Sequence, residues 1–233
     1  MKWILDKATE NLAIQNNLLS DINIPTPQYP GHSTNPSAWT KSLGQLASEL
    51  TWPEPILTCS PQEIITQFKN GNFLQGMILV VSWGAMGRTA NSIYGHRSKD
   101  DIYNSLSECV KCINAEGSIE GAWHILTNNL CWSAVMASKT IHFLCRSVGI
   151  ENDPPVPIDN KIVLNKIWPN FIINIASNEK PKSWCGSSYP AYLRYMTAIN
   201  TWAKSKNWTT TQTETSLFSK YSNLSKEKTC DLL

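Results

Sequence analysis

The chain has 233 residues, of which 42% are hydrophobic, with 10 tryptophans and a formal net charge of +2. This composition can supply a substantial core, and it excludes an intrinsically disordered chain. The length suits one large domain or two small lobes. A net charge so close to zero neither indicates nor excludes a nucleic-acid partner, because the distribution of charge matters more than its sum.

No apolar run marks a targeting signal or a membrane span. The first residues lack the apolar core of a signal peptide, and no stretch approaches the roughly eighteen apolar residues of a spanning helix. We therefore expect a cytoplasmic protein with no membrane partner. The seven cysteines are scattered and odd in number, which predicts reduced thiols. Cys109 and Cys112 form a single Cys-x-x-Cys without a second pair, so we predict that they pack and that the chain binds no metal.

The first part of the chain alternates between helical patterns and an irregular arm. Apolar spacing predicts a helix over residues 3–20, followed by a loop rich in Pro and Asn to about residue 37 and a second helix over 38–50. Ser60-Pro61-Gln62-Glu63 is a helix start, with Ser as N-cap and Glu three positions later. The run Phe73–Gly84 is apolar nearly all round, which predicts a buried helix or a buried strand.

Two more helices are predicted before the central region. The basic loop His96–Lys99 ends in an N-cap for a helix over residues 100–115. Ser118-Ile119-Glu120 opens another helix, which carries its apolar face to Asn129. We expect His124 on this helix to pack rather than to catalyse, because no carboxylate or cysteine has a motif relation to it.

An apolar stripe predicts a helix that ends near Gly149. The stripe consists of Ala134, Ala137, Ile141, Leu144 and Val148. Lys139, Phe143 and Arg146 fall on the opposite face, and the presence of Phe143 there predicts that this face meets a groove or a ligand.

A proline-rich turn over residues 153–157 follows, and it holds the chain extended because proline cannot continue a helix. Asp159 then stands at the expected N-cap of a helix over residues 160–168.

These residues resemble the helix-hairpin-helix DNA glycosylases. Ala137-Ser138-Lys139, His142-Phe143-Leu144 and Pro157-Ile158-Asp159 are similar to segments of small bacterial proteins with an 8-oxoguanine-glycosylase fold. Trp83-Gly84 with Arg88-Thr89 is similar to a second segment of that family. The resemblance covers roughly residues 60–220. It implies an all-α, two-lobe helical fold of the helix-hairpin-helix glycosylase type.

The resemblance also implies an activity. Lys139 would be the nucleophile and Asp159 its electrostatic partner, with both side chains opening into one cleft. The implied reaction is excision of a damaged base, such as an oxidised purine, from duplex DNA with that base flipped out. A desolvated, partly neutral Lys139 would form a Schiff base and add AP-lyase activity. We expect no cofactor and a monomer.

Further candidate residues follow from the same resemblance and its neighbourhood. The candidates for DNA binding or for the base pocket are Trp83, Arg88, Thr89, Ser138, His142, Phe143, Arg146 and Lys161. Simpler interpretations stay open: Arg88 and Thr89 in an interhelical turn, Lys139 as a solvated charge, and Asp159 as a cap alone. The expected domains are N-terminal helices and an arm over 1–59, a glycosylase-like domain over 60–222 and a frayed tail over 223–233.

One feature favours a different function. The hairpin of the glycosylases has glycines shortly before the lysine, and Ser133–Ala137 contains none. This favours a non-catalytic DNA-binding or regulatory protein that has kept the fold. A third possibility is a protein-interaction scaffold, in keeping with the tryptophan content and the near-neutral charge.

A second stretch combines basic and aromatic residues. Residues 180–212 contain five basic side chains and no acidic one, interleaved with tyrosines and tryptophans. Basic groups contact phosphates and aromatics stack on bases, so the stretch is a candidate DNA footprint. The competing interpretation is a core stripe, because Tyr192, Tyr195, Ile199 and Trp202 recur at helical spacing.

Overall fold

The computed structural model describes residues 7–15, 17–25, 59–84, 97–151, 153–159 and 189–230, with the backbone alone at Glu116 and at 222–230. The helices in chain order are α1 (Lys7–Gln15), α2 (Pro61–Lys69), α3 (Phe73–Trp83), α4 (Lys99–Glu116), α5 (Glu120–His124), the π-helix (Ile125–Asn129), α6 (Ala134–Ser147), α7 (Tyr189–Lys206) and α8 (Thr210–Cys230). These described ranges contain no β-strand. The fold is therefore all-α, as predicted.

The described residues divide into two compact units. Unit 1 lies within Tyr29–Glu151 and contains α2 to α6, whereas unit 2 combines residues from Lys2–Gln28 and Asn152–Leu233. Unit 2 is thus built from both ends of the chain. Its limits differ from the divisions expected from the sequence at residues 59/60 and 222/223.

Two helices of unit 1 begin at capping boxes. The Ser60 hydroxyl accepts a hydrogen bond from the Glu63 amide at 3.2 Å, and the Glu63 carboxylate accepts one from the Ser60 amide at 2.7 Å. Ser98 and Asp101 make the same exchange at 3.0 and 3.1 Å. Each pair satisfies amides that a helix start leaves without partners. The helix start predicted at Ser60 is confirmed, and the helix predicted over residues 100–115 begins at Lys99 with Ser98 as its N-cap.

Helix α3 forms the centre of unit 1 together with α2, α4 and α6, which all pack against it. The predicted buried helix is confirmed, because most of its side chains are buried. Gly76 lies where α2 approaches most closely. A Cβ atom at this position would lie 2.5 Å from the ring of Phe68, so only glycine admits that ring. The Phe68 ring is itself buried, at 3% exposure.

In unit 2, helix α1 packs on α7, and α7 packs on α8. The Trp202 indole N–H donates to the Ala13 carbonyl at 2.9 Å. The ammonium groups of Lys206 and Lys220 donate to the carbonyls of Ile22 and Leu18, at 2.9 and 2.8 Å. These donors satisfy carbonyls at and beyond the end of α1 that no helix bond uses.

Three boundaries differ from the predictions. Helix α1 ends at Gln15, and a turn follows in which the Asn17 side chain accepts from the Leu19 amide at 3.0 Å; such local side-chain bonds favour turns over helix. The helix predicted after Ser118 changes to the π-helix at Ile125. Helix α8 runs to Cys230 where a frayed tail was predicted, because its sequence is polar but contains neither Gly nor Pro. The predicted helix over 38–50 lies outside the described residues.

Candidate functional site

The predicted nucleophile lies on α6, which follows a turn after the π-helix. The Ser133 hydroxyl accepts from the Met136 amide at 3.4 Å and so caps α6. Cys131 in the turn has φ +51°, in the left-handed region that favours glycine. Helix α6 packs against both α5 and the π-helix, so the three form a helical hairpin. The hairpin without glycine therefore makes its turn through an exposed cysteine, which no sequence pattern had indicated.

Helix α6 is buried nearly all round rather than on one face. Every side chain of the helix except Arg146 is buried. On the face predicted to meet a groove or a ligand, Phe143 is fully buried and Lys139 is only 6% exposed, so this face is not open to solvent. Its contact with a ligand stays a prediction. The predicted end of the helix is confirmed: Gly149 follows it with φ +91°.

The hydroxyl side chains of α6 tolerate burial because they bond to their own helix. The hydroxyls of Ser138, Thr140 and Ser147 donate to carbonyls three or four residues earlier, at 3.0, 2.9 and 2.8 Å. Such bonds satisfy a buried hydroxyl without any partner on another helix. Ser138, a candidate for the pocket, is thus accounted for by a bond to the Val135 carbonyl.

Lys139 lies against an aromatic cluster in unit 1. Its ammonium nitrogen is 5.6 Å from the centroid of the Trp83 ring. The Trp83 ring meets the Phe143 ring edge to face at 5.1 Å, and the Phe143 ring meets that of His142 at 4.9 Å. The structure therefore brings together four of the predicted residues. Burial opposes the charged form of an amine, and the face of an indole stabilises a cation.

The predicted partner Asp159 belongs to unit 2, whereas Lys139 belongs to unit 1. Asp159 is half-buried and ends a described segment in which residues 154–158 are all buried. The Tyr192 hydroxyl donates to the Val156 carbonyl at 2.8 Å, and the Thr210 hydroxyl donates to the Pro154 carbonyl at 3.2 Å. Sequence reasoning found the segment but not these two hydroxyls that hold it.

Three candidates cannot be placed. Arg88, Thr89 and Lys161 lie outside the described residues, as does the helix that Asp159 is predicted to cap. The pairing of Lys139 with Asp159 stays a prediction.

The basic and aromatic stretch is mainly core where it is described. Tyr192, Tyr195, Ile199 and Trp202 are buried within unit 2, which confirms the core stripe. Lys206 donates to the Ile22 carbonyl, so this cation holds the segment after α1. Most described aromatics of the stretch are thus core, whereas Lys204 is exposed and Arg194 is half-buried.

The remaining histidine and cysteine predictions have mixed outcomes. His124 is exposed and lies 3.8 Å from the Glu120 carboxylate, so the prediction that it packs is wrong. The carboxylate is one helical turn earlier, a relation that the sequence analysis had missed. Cys109 is buried and Cys112 half-buried on α4, and both are free thiols. Within the described ranges, no group of three or more His, Cys, Asp or Glu residues is placed to hold a metal ion.

Comparisons with known proteins found no relative of this chain. No protein-family model, no curated protein and no solved structure matches the chain. Among the described helices, none has the length and apolar character needed to cross a membrane.

Proposed function

We propose that the chain is a DNA base-excision glycosylase that uses Lys139 as its nucleophile, with AP-lyase activity as a consequence. The observation that carries this proposal is the burial of Lys139 with its ammonium against Trp83, on a helix whose other side chains are almost all buried. An ammonium in such a position is costly to maintain. A catalytic site that uses a partly neutral amine as its nucleophile accounts for this cost, because burial favours the neutral form of the amine.

The chemistry divides between the two predicted residues. The target base leaves the stack, which costs a few kcal/mol and less for a damaged base. As the glycosidic bond breaks, the base departs with the bonding electron pair and takes up a proton, and positive charge builds on the sugar. The Asp159 carboxylate stabilises that charge.

The Lys139 nitrogen forms the new bond to the anomeric carbon through its lone pair and loses a proton. The sugar ring then opens as its oxygen takes up a proton, which leaves an imine between lysine and sugar. The imine permits elimination of the 3′ phosphate and hence strand cleavage. Because Lys139 is only 6% exposed, the proposal requires the nucleotide to reach it through an opening that forms on DNA binding.

The proposed protein acts as a monomer on duplex DNA in the cytoplasm, and an oxidised purine is the proposed target. The reducing compartment is supported by free thiols at Cys59, Cys109, Cys112, Cys131 and Cys145.

A second candidate function is a non-catalytic DNA-binding or regulatory protein. The observation that favours it is Cys131, which stands in the hairpin turn at φ +51° where a glycine would let the backbone approach a phosphate closely. This function needs no reactive lysine.

Borohydride trapping tests the proposal. Borohydride reduces the imine to a stable amine, so wild type incubated with lesion or abasic DNA becomes covalently attached to it. Lys139→Ala should give no adduct, whereas Lys111→Ala, which changes an exposed lysine, should give the wild-type yield.

The outcomes separate the candidates. Wild type that excises no oxidised, alkylated or deaminated base and never traps, yet binds duplex DNA with an affinity that falls steeply with salt, supports the second function. The absence of any salt-dependent DNA binding excludes both functions and leaves a protein-interaction scaffold.

A further inference from the structure

The segment that carries Asp159 has few donors of its own for backbone hydrogen bonds. We call residues 153–159 the strap. It is extended and contains three prolines, none of which has an amide N–H. Residues 154–158 are buried, so their carbonyls are shielded from water and need protein donors. The position of the strap therefore depends on side chains from other elements.

Helix α7 holds the strap at Val156, three residues before Asp159. The Tyr192 hydroxyl donates to the Val156 carbonyl at 2.8 Å, and the Met196 sulfur accepts from the Val156 amide at 3.2 Å. Tyr192 and Met196 are one helical turn apart, so the strap crosses a single face of α7. The Thr210 hydroxyl at the start of α8 holds the other end of the strap, through the Pro154 carbonyl at 3.2 Å.

The electrostatics of Tyr195 place the Asp159 carboxylate near the same helix. Burial raises the pKa of Tyr195 well above its ordinary value, and the charges on Glu214 and Asp159 raise it further. Tyr195 lies three residues after Tyr192, on the same side of α7. The strap therefore contacts α7 at Val156, and the charge of Asp159 acts on the same helix.

We propose that Tyr192 is a positioning residue for Asp159, which it holds in place through the Val156 carbonyl. The inference rests on the proposed function, because positioning matters only if the Asp159 carboxylate acts on the sugar. Val156 lies three residues before Asp159, with the fully buried Ile158 between them. A shift of the strap therefore moves the carboxylate, and a displacement of about 1 Å in an active site lowers a rate up to about a hundredfold.

The test compares two phenylalanine substitutions on the same helix face. Tyr192→Phe removes the hydroxyl that bonds to Val156. Tyr195→Phe is the matched control, because its hydroxyl is equally buried and makes no hydrogen bond within the part of the chain that the structure describes. Tyr192→Phe should slow single-turnover base excision about tenfold or more with DNA affinity unchanged, and Tyr195→Phe should excise at the wild-type rate. Amide hydrogen exchange at Ile158 and Asp159 should accelerate in Tyr192→Phe alone.

A double variant separates positioning from a general structural role. In an Asp159→Asn background the carboxylate charge is already absent, so adding Tyr192→Phe should slow excision no further. An additional tenfold loss in that background overturns the inference, as does a Tyr192→Phe enzyme with the wild-type rate and exchange. A wild type that excises no base overturns the proposed function and this inference together, whereas an active wild type beside an equally active Tyr192→Phe overturns the inference alone.

Discussion

The Lys139 ammonium nitrogen lies 5.6 Å from the centroid of the Trp83 ring. Lys139 belongs to α6, whose other side chains are almost all buried. The contact offsets part of the desolvation of the cation, since an indole face contributes about 2 kcal/mol or somewhat less to a buried cation. Desolvation of an unshielded ammonium costs several kcal/mol. We expect the difference to appear as a net cost of the charge to folding stability.

The first prediction concerns that difference. Lys139→Met keeps most of the side-chain volume and removes the charge, so the free energy of unfolding should rise by about 1 kcal/mol or more while trapping on DNA is lost. Urea unfolding followed by circular dichroism measures the change. Lys111→Met, at an exposed position of α4, should change the stability little. A Lys139→Met protein that is less stable by about 2 kcal/mol would instead assign the ammonium a structural role.

The second prediction concerns Asp159. Asp159→Asn keeps the shape and the capping ability of the side chain and removes its charge, so the variant should fold and bind DNA but excise a base about a hundredfold more slowly. Single-turnover excision on a lesion oligonucleotide measures the rate. Asp153→Asn makes the same chemical change at an exposed position of the strap and should retain the wild-type rate. Equal excision rates in wild type, Asp159→Asn and Asp153→Asn would show that Asp159 acts only as a helix cap.

The third prediction concerns the contact between α2 and α3. Gly76→Ala places a methyl group 2.5 Å from the Phe68 ring, which is buried. Overpacking costs about 1–3 kcal/mol and outweighs the gain of up to about 1 kcal/mol in helix propensity.

Thermal and urea unfolding should therefore show a destabilised Gly76→Ala protein. The substitution should be much less harmful in a Phe68→Leu background, where the ring is absent. If Gly76→Ala destabilises both backgrounds equally, the contact with the ring is not the cause.

The fourth prediction concerns the thiols. Burial raises the pKa of Cys59 to about 12, and it raises the pKa values of Cys109 and Cys145 above their ordinary range as well. Alkylation of the native protein at pH 8 should therefore label Cys131, which is exposed, well before these three, and peptide mapping distinguishes them. Preferential labelling of Cys145 would contradict its burial.

The same pKa values predict how stability depends on pH. The folded-state pKa of each buried thiol exceeds the unfolded value of 9.0, so the unfolded chain loses these protons first. Their contribution to stability is complete below pH 9 and is lost as the pH rises through the folded-state values. The urea midpoint should fall less steeply above pH 9 in Cys145→Ala than in wild type.

Local features of the fold follow from the sequence, and the burial of α6 does not. The capping boxes at Ser60 and Ser98 involve residues three positions apart, so the sequence contains all their information. The apolar stripe of α6 predicted a helix with one buried face. The other face is also buried, because Ser138 and Thr140 bond to their own helix and conceal their polarity. The spacing of apolar residues cannot reveal that a polar side chain hydrogen-bonds to a carbonyl of its own helix.

The candidate site shows the same limit. The aromatic cluster combines Trp83 on α3 with Lys139 and Phe143 on α6, and only the packing of the two helices brings them together. Tyr192 was recognised as a core residue, but its bond to Val156 joins positions 36 apart. The turn at Cys131 had no signal at all, since non-glycine residues adopt positive φ only rarely.

The construction of unit 2 from both ends of the chain has a consequence for vectorial synthesis on the ribosome. Ala13 of α1 emerges early, yet its partner Trp202 lies 189 residues later and the Lys220 ammonium that binds Leu18 follows still later. All of α2 to α6 is translated in between, so unit 1 can complete its core while α1 still waits for α7 and α8. Closure over so long a separation is slow, so we expect the docking of α1 to follow the completion of the unit 1 core.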